Sequence, residues 1–135
     1  MDLIGVPSAM VRGVWPNVAS HIEACLAVFD EHRWLPEDIL TAIEARDMQL
    51  WVLSEAGLKA VVVTEVINYP RARELNIFLV HGEIPGGWDE PLEKMAQWAK
   101  EEGCTHISTS GRPGVTKKFK DLGYDIRQTY CVRGI

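Results

Sequence analysis

The chain has 135 residues, 47% of them hydrophobic and 24% charged, which is typical of one globular domain that buries its own core. Its formal net charge of -5 argues against a protein that binds nucleic-acid backbone, because such proteins cluster Lys and Arg. No apolar run approaches the roughly 20 residues of a membrane-spanning helix, and the first residues resemble no export signal, so neither insertion nor export is expected.

The three cysteines, Cys25, Cys104 and Cys131, are odd in number and lack the spacing of a metal site. They are therefore predicted to be reduced thiols in a cytosol-like compartment. We expect the protein to stay where it is made, or to be packaged from there.

Two helices are predicted in the first third of the chain. A short strand within residues 1–12, broken by Pro7 and Ser8, precedes them. The first helix is predicted to begin at Pro16, because the missing N–H of a proline is harmless in a first turn, and to reach about residue 32. Its apolar stripe comprises Val18, Ile22, Cys25, Leu26 and Phe29. The second helix is predicted from Pro36 to about Ala45.

Three consecutive antiparallel strands are predicted over residues 49–54, 58–68 and 74–80. The links between them, residues 55–57 and 69–73, have the length of hairpin connections, and Gly57 allows a positive φ. The middle strand is apolar on both faces, so both faces must be covered. Helices are therefore expected on both sides of the sheet.

The rest of the chain alternates helices and strands. A glycine-bearing loop, residues 82–88, leads to a helix capped by Asp89 that ends at Gly103. A strand over residues 105–109, a helix over 115–122 and a last strand over 126–132 follow. This order predicts an α/β domain with a mixed sheet.

This order resembles the GNAT superfamily of acyl-CoA-dependent N-acyltransferases. The strand 74–80, the loop 82–87 and the helix from Asp89 look like the family's cofactor-binding strand, pyrophosphate loop and helix, and the helix ending in Gly123 and Tyr124 is similar to the family's Gly-aromatic ending. The resemblance implies one GNAT-like domain over residues 1–135, with a mixed, mainly antiparallel central sheet and helices on both faces. The small acetyltransferase-like proteins of tailed bacteriophages, some of them virion or core components, look most similar.

The chain departs from the family where the resemblance places the diphosphate. In the family, backbone N–H groups at a helix N-terminus hold the phosphates. Aligned on the first glycine, the motif falls on Glu83, Gly86 and Trp88, so an acid replaces an amide or base and an indole replaces a small residue.

Acidic residues are also expected to gather at this helix end, because Glu83, Asp89 and Glu90 would all lie near the proposed diphosphate. A like-charge contact at about 4 Å costs on the order of 4 kcal/mol at an effective dielectric of 20. Pro91 removes one N–H donor, and the helix end is expected to be capped by its own carboxylates. Phe119 stands where family members often have a tyrosine that protonates the leaving thiolate.

The leading hypothesis is therefore a phage-type protein with a degraded acyl-CoA site that needs no cofactor. It acts as a virion-associated or assembly component, in the host cytoplasm or packaged in the virion. Its partners are other protein chains, virion or assembly proteins or further copies of itself, and neither nucleic acid nor membrane.

The alternative is an active N-acetyltransferase that uses acetyl-CoA to modify an amine of a protein or small molecule. Backbone groups of Val80, Gly86, Gly87 and Trp88 would hold acetyl-CoA. Glu65 or Glu74 would be the base, and Tyr124 or Tyr130 the acid. This alternative predicts a V-shaped gap next to Gly86 where the third and fourth strands part, and a gap filled by Trp88 would count against it.

Several residues have two interpretations. Gly86 and Gly87 form a ligand loop or a plain turn, and Glu65 and Glu74 are catalytic or merely solvent-facing. His21 and Cys25 are one turn apart but have no third metal ligand nearby.

Other polar and aromatic residues are equally open. His106, Ser108 and Ser110 line a polar pocket or an exposed strand face. The cluster Lys117, Lys118 and Lys120 is a phosphate or nucleic-acid contact or a solvated helix face. Trp98 falls off its helix's apolar stripe and indicates a protein-protein surface.

Overall fold

The computed structural model describes residues 2–28 and 33–135. The elements in chain order are β1 (Leu3–Val6), α1 (Val11–Val28), α2 (Pro36–Glu44), β2 (Met48–Ser54), β3 (Leu58–Tyr69), β4 (Ala72–Gly82), α3 (Asp89–Glu101), β5 (His106–Thr109) and α4 (Pro113–Asp121). In this part of the chain, no helix combines the length and the apolar character that crossing a bilayer requires.

The strands form one five-stranded sheet in the order β1-β2-β3-β4-β5. Neighbours from β1 to β4 are antiparallel, and β5 runs parallel to β4. The predicted mixed, mainly antiparallel sheet is confirmed. The second hairpin is tighter than predicted, because Tyr69 pairs with Ala72 across only Pro70 and Arg71.

Helices cover both faces of the sheet, as the apolar middle strand predicts. On one face, α1 and α2 pack their buried residues, such as Ile22 and Ile39, against Val61 and Val63 of β3. The opposite face is covered by α3 and α4, and its core contains Trp51, Val62, Ile77, Met95 and Phe119. The alternating side chains of β3 therefore divide between two cores.

The predicted start of the first helix is wrong. A short 3-10 turn (Ser8–Met10) runs into α1, which begins at Val11 and contains Pro16 in its interior. Pro7, with φ -56° and ψ 140°, precedes the turn and is the proline that marks the start. The predicted end of this helix and Phe29 of its stripe lie outside the described residues.

The predicted last strand over residues 126–132 is also wrong. Residues 124–135 form neither helix nor strand, and Ile126, Tyr130 and Val132 are 57%, 70% and 58% exposed. The segment has a strand-forming composition, but a strand is stable only when its backbone pairs with a neighbour. We call residues 125–135 the C-terminal segment.

Candidate functional site

The strands β4 and β5 part halfway along β4. They pair only from Glu74 opposite His106 to Ile77 opposite Thr109, whereas β4 continues to Gly82. A register shift against β3 leaves Phe78 as a bulge at the point of divergence. The two strands therefore separate after Ile77 and Thr109.

The backbone of Val80 faces the space left by β5. The N–H of Glu83 donates to the carbonyl of Lys59 (3.0 Å), so these two residues form a hydrogen-bonded pair of the antiparallel ladder. Bonded and non-bonded pairs alternate along such a ladder, so Val80 and Val62, which lie opposite each other, form a pair without a mutual hydrogen bond. The N–H and carbonyl of Val80 therefore point away from β3. The Cys25 thiol on α1 donates to this carbonyl, with Sγ 3.3 Å from the oxygen.

The loop before α3 makes the turn that its glycines predict. Gly86 and Gly87 have φ of 86° and 88°, and the N–H of Gly87 donates to the carbonyl of Ile84 (3.1 Å). The helix is capped by Trp88, whose side chain makes no capping hydrogen bond, and Asp89 is the first helical residue. The predicted caps, Asp89 and the carboxylates of this helix end, are therefore wrong.

The acidic residues near this loop do not all gather at the proposed diphosphate position. The carboxylate side chains of Glu83 and Asp89 are exposed. Glu90 instead lines a groove between β1, β2 and α3, which we call the β1–α3 groove and which lies at the sheet edge opposite β5. Trp98 also lines this groove and packs half-buried against Trp51, with ring centroids 5.6 Å apart. Its predicted position away from the core is therefore wrong.

Aromatic side chains join the start of α3 to α4. The rings of Trp88 and Phe119 lie 5.7 Å apart between centroids, and those of Phe119 and Tyr124 lie 5.2 Å apart. Val80 and Ile84 pack into the same cluster. Side chains therefore fill the space beside the divergent end of β4 on the α3–α4 face.

The two tyrosines predicted as acids lie on different surfaces. Tyr124 is half-buried under α3, and burial, followed by the charge of Glu93, raises the pKa of its phenol. The Tyr130 hydroxyl accepts a hydrogen bond from Arg33 (2.7 Å) in the exposed C-terminal segment. The structure does not bring them together.

The two predicted bases belong to one polar row across β3, β4 and β5. The side-chain amide of Asn76 donates to Glu65 Oε1 (3.0 Å), and the Ser108 hydroxyl donates to Glu74 Oε2 (2.9 Å). Ser108 Oγ also lies 3.2 Å from Asn76 Oδ1, which links the two halves. All four side chains are half-buried, so the row presents two carboxylates on the stretch where β3, β4 and β5 are paired.

A histidine pair joins α1 to the end of β4. His21 Nδ1 and His81 Nδ1 lie 2.9 Å apart, and burial, followed by the charge of His81, lowers the pKa of His21. Sequence reasoning missed His81, because no local pattern connects residues 60 positions apart. Among residues 2–28 and 33–135, no three His, Cys, Asp or Glu side chains are grouped to hold a metal.

Other predicted polar groups remain on the surface. His106 and Ser110 are exposed, so only Ser108 of that predicted pocket wall joins the polar row. Lys117 and Lys118 are exposed on α4, as expected of a solvated helix face, and so is Lys120.

Comparisons with solved structures identify the fold. No protein-family model and no curated protein sequence match the chain. A predicted acetyltransferase with acetyl-CoA from Clostridium acetobutylicum aligns at 12% identity and a TM-score of 0.70, over 98% of this chain and 95% of its own. The ribosomal-protein-alanine N-acetyltransferase from Brucella melitensis biovar Abortus 2308 aligns at 14% and 0.66, over 99% and 100%. An aminoglycoside N-acetyltransferase in complex with CoA aligns at 7% and 0.69, over 99% and 93%. The chain therefore has the α/β fold of the GNAT acetyltransferases.

Proposed function

We propose that this chain keeps the GNAT scaffold, lacks a working acyl-CoA site and acts through contacts with other protein chains. The packing of Trp88 against Phe119 is the main support. A carrier with its phosphates at the start of α3 and its chain along Val80 would cross the cluster that these rings form with Ile84. Binding would require the indole to move out, which exposes Phe119, now only 4% exposed.

Three departures from the GNAT motif support the same proposal. Glu83 places an acid at the start of the loop, Pro91 lacks a donor in the first turn of α3, and Phe119 lacks the hydroxyl of an acid catalyst. Loss of a general acid typically lowers a rate by about a hundred- to ten-thousandfold. The fold alone does not decide between an acyltransferase and a protein-binding module, because one scaffold serves many functions.

The resemblance to small bacteriophage-encoded proteins supports a finer proposal about the partners. We propose virion or assembly proteins, which this chain meets in the host cytoplasm or inside the particle. Mass spectrometry of purified particles checks this: peptides of the chain at a fixed ratio to a capsid protein are expected, and their absence would remove the virion role.

Calorimetric titration with acetyl-CoA tests the closed-site proposal, namely that Trp88 packed on Phe119 blocks the acyl-CoA position. No binding is expected for the wild type, and Trp88→Ala is expected to gain affinity because it removes the indole. The matched control is Trp34→Ala, which removes an indole packed on Phe78. Wild-type binding at low micromolar concentration would overturn the proposal.

The polar row favours a second candidate function, acetyl transfer from acetyl-CoA to an amine. In this candidate, backbone groups of Val80, Gly86, Gly87 and Trp88 hold the cofactor. Glu65 or Glu74 accepts the amine proton, and Tyr124 or Tyr130 protonates the thiolate.

Release of the CoA thiol with a panel of amines tests this candidate. It predicts turnover that Glu74→Gln reduces about a hundredfold or more, while Glu37→Gln on the exposed start of α2 leaves it unchanged. The closed-site proposal predicts no thiol release from either protein.

A further inference from the structure

The β1–α3 groove is a cavity of about 830 Å³ that the proposed function leaves unused. Its lining includes Leu3 and the edge-to-face indoles of Trp51 and Trp98. Gly5 of β1 lies against Trp51, where an added Cβ would be 3.5 Å from the ring. Trp51 is only 4% exposed, so the half-buried Trp98 is the indole that is more accessible in the groove.

The groove is rimmed by negative charge. Four carboxylates, those of Asp2, Glu90, Glu93 and Glu101, line it together with one cation, Lys94. Surfaces of opposite potential attract each other and disfavour wrong partners. The chemistry of the groove therefore suits a segment that carries both basic and apolar side chains.

The groove also borders an open strand edge. β1 is the first strand of the sheet, and among the described strands it pairs only with β2, in the register Leu3–Leu53 to Val6–Leu50. Its other edge presents backbone N–H and C=O groups that an extended chain can pair with. An extended occupant could thus add to β1 and place alternate side chains in the groove.

The C-terminal segment has these properties. It carries Arg127 and Arg133 against one acid, Asp125, and its apolar side chains Ile126, Tyr130 and Val132 are exposed. The Arg127–Asp125 pair is 3.7 Å long with side chains 73% and 80% exposed, so solvent screens it and it contributes little to holding the segment. The Arg33–Tyr130 hydrogen bond, which is also exposed, is the contact that release of the segment breaks.

The segment does not fill the groove of its own chain. Tyr130 is bonded to Arg33, just before α2, whereas the groove lies on the α3 face at the β1 edge. β1 and β5 are separated by four strand spacings, about 19 Å. No residue of the segment lines this groove, so the groove of each copy is open to the segment of another.

We propose that the C-terminal segment of one copy binds the β1–α3 groove of a second copy, with its arginines on the acidic rim and its strand-forming backbone along β1. This pairing specifies a partner for the protein contacts of the proposed function, and it therefore rests on that proposal. The contact is heterologous, because groove and segment are different surfaces. It therefore builds rings or open chains rather than a closed twofold dimer.

Charge reversal on each surface tests this pairing. The groove variant is Glu93→Lys with Glu101→Lys, and the segment variant is Arg127→Glu with Arg133→Glu; all four residues are exposed. Sedimentation velocity of the wild type is expected to show mass increasing with concentration and decreasing with added salt. Each variant alone is expected to associate at least about tenfold more weakly than the wild type, because attraction becomes repulsion at two positions.

Mixing the two variants gives the decisive measurement. Each reversed surface then meets a complementary one, so the mixture is expected to regain association that neither variant has alone. The matched controls, Glu37→Lys with Glu55→Lys and Lys117→Glu with Lys118→Glu, change the same charges at exposed sites outside groove and segment and are expected to associate as the wild type does.

A monomeric wild type, reversed variants that associate normally, or a mixture that stays monomeric would each overturn the pairing. These outcomes differ from failure of the proposed function, which is measured on the same samples by acetyl-CoA titration. A monomeric protein that does not bind acetyl-CoA would contradict only the pairing. A protein that associates and also binds acetyl-CoA would contradict only the proposal that the acyl-CoA site is closed.

Discussion

His21 Nδ1 and His81 Nδ1 are 2.9 Å apart, so one imidazole must donate a proton and the other must accept it. Protonation of the accepting Nδ1 would point two N–H groups at each other and place a positive charge in this contact between α1 and β4. The neighbouring bond from the Cys25 thiol to the Val80 carbonyl joins the same two elements. The pair therefore makes the α1–β4 contact sensitive to acid.

Stability is predicted to fall as pH decreases through the titration of His21. The folded state lowers the pKa of His21 from its ordinary 6.5, so the unfolded chain binds the proton more readily. The free energy of unfolding should be independent of this group above 6.5 and should decrease as pH falls below that value. Urea titrations of wild type and His21→Gln, which removes the titrating group, from about pH 8 to about pH 5 check this. Equal acid dependence in the two proteins would contradict it.

Substitution of Gly82 is predicted to be far more costly than substitution of Gly86. At Gly82, φ is 106°, and a Cβ would collide with the Lys59 carbonyl and lie 2.8 Å from Ala60 Cα. Gly82→Ala should therefore lose about 4 kcal/mol or more. Gly86→Ala meets open space and should lose only about 1–2 kcal/mol, the strain of its positive φ. Chemical unfolding measures both, and similar losses would mean that β3 and β4 do not approach closely there.

Restoring a tyrosine at position 119 is predicted to destabilise the protein without creating activity. Phe119 lies between Trp88 and Tyr124, so a new hydroxyl without a partner costs about 1–3 kcal/mol. Thiol release from acetyl-CoA should remain absent in Phe119→Tyr. The control is Phe78→Tyr, whose half-buried ring packs on Trp34. Turnover gained only by Phe119→Tyr would favour the enzyme.

The cysteines are predicted to react with a thiol reagent at very different rates. Cys131 is exposed, whereas Cys25 is buried and donates to Val80, and burial raises the pKa of its thiol. Because the thiolate is the reactive form, Cys131 should react first and Cys25 only slowly until the chain unfolds. The absorbance that an aromatic disulfide reagent releases measures the reaction of each thiol with time. Comparison with Cys131→Ser shows which kinetic phase belongs to Cys131. Rapid labelling of Cys25 would mean that α1 opens readily.

The elements that were predicted correctly are those with a local signal. The unbroken apolar run of β3 predicts cover on both faces, and Pro36 with its acidic neighbours marks the start of α2. Pro16 misled because an interior proline loses a hydrogen bond and clashes with the preceding turn, which favours placing it in a first turn, whereas α1 begins at Val11 and contains Pro16. The C-terminal segment has strand composition, but composition cannot supply the neighbour that a strand needs.

The candidate site was predictable in its backbone and not in its side-chain contacts. The divergence of β4 from β5 and the glycine turn follow from the resemblance. The contact of Trp88 with Phe119 depends on how α3 packs beside α4, and that of His21 with His81 depends on α1 crossing β4. Neither arrangement leaves a periodic pattern in the sequence.

The outward-facing peptide groups of Val80 have a consequence for engineering this fold. The edge of β4 beyond Ile77 is not paired by β5, and under the closed-site proposal the indole of Trp88 keeps a thioester carrier away from it. On that proposal, a docking module and a catalyst on this scaffold differ in side chains rather than in main-chain fold. Selection for acetyl transfer among Trp88 variants would measure that difference directly.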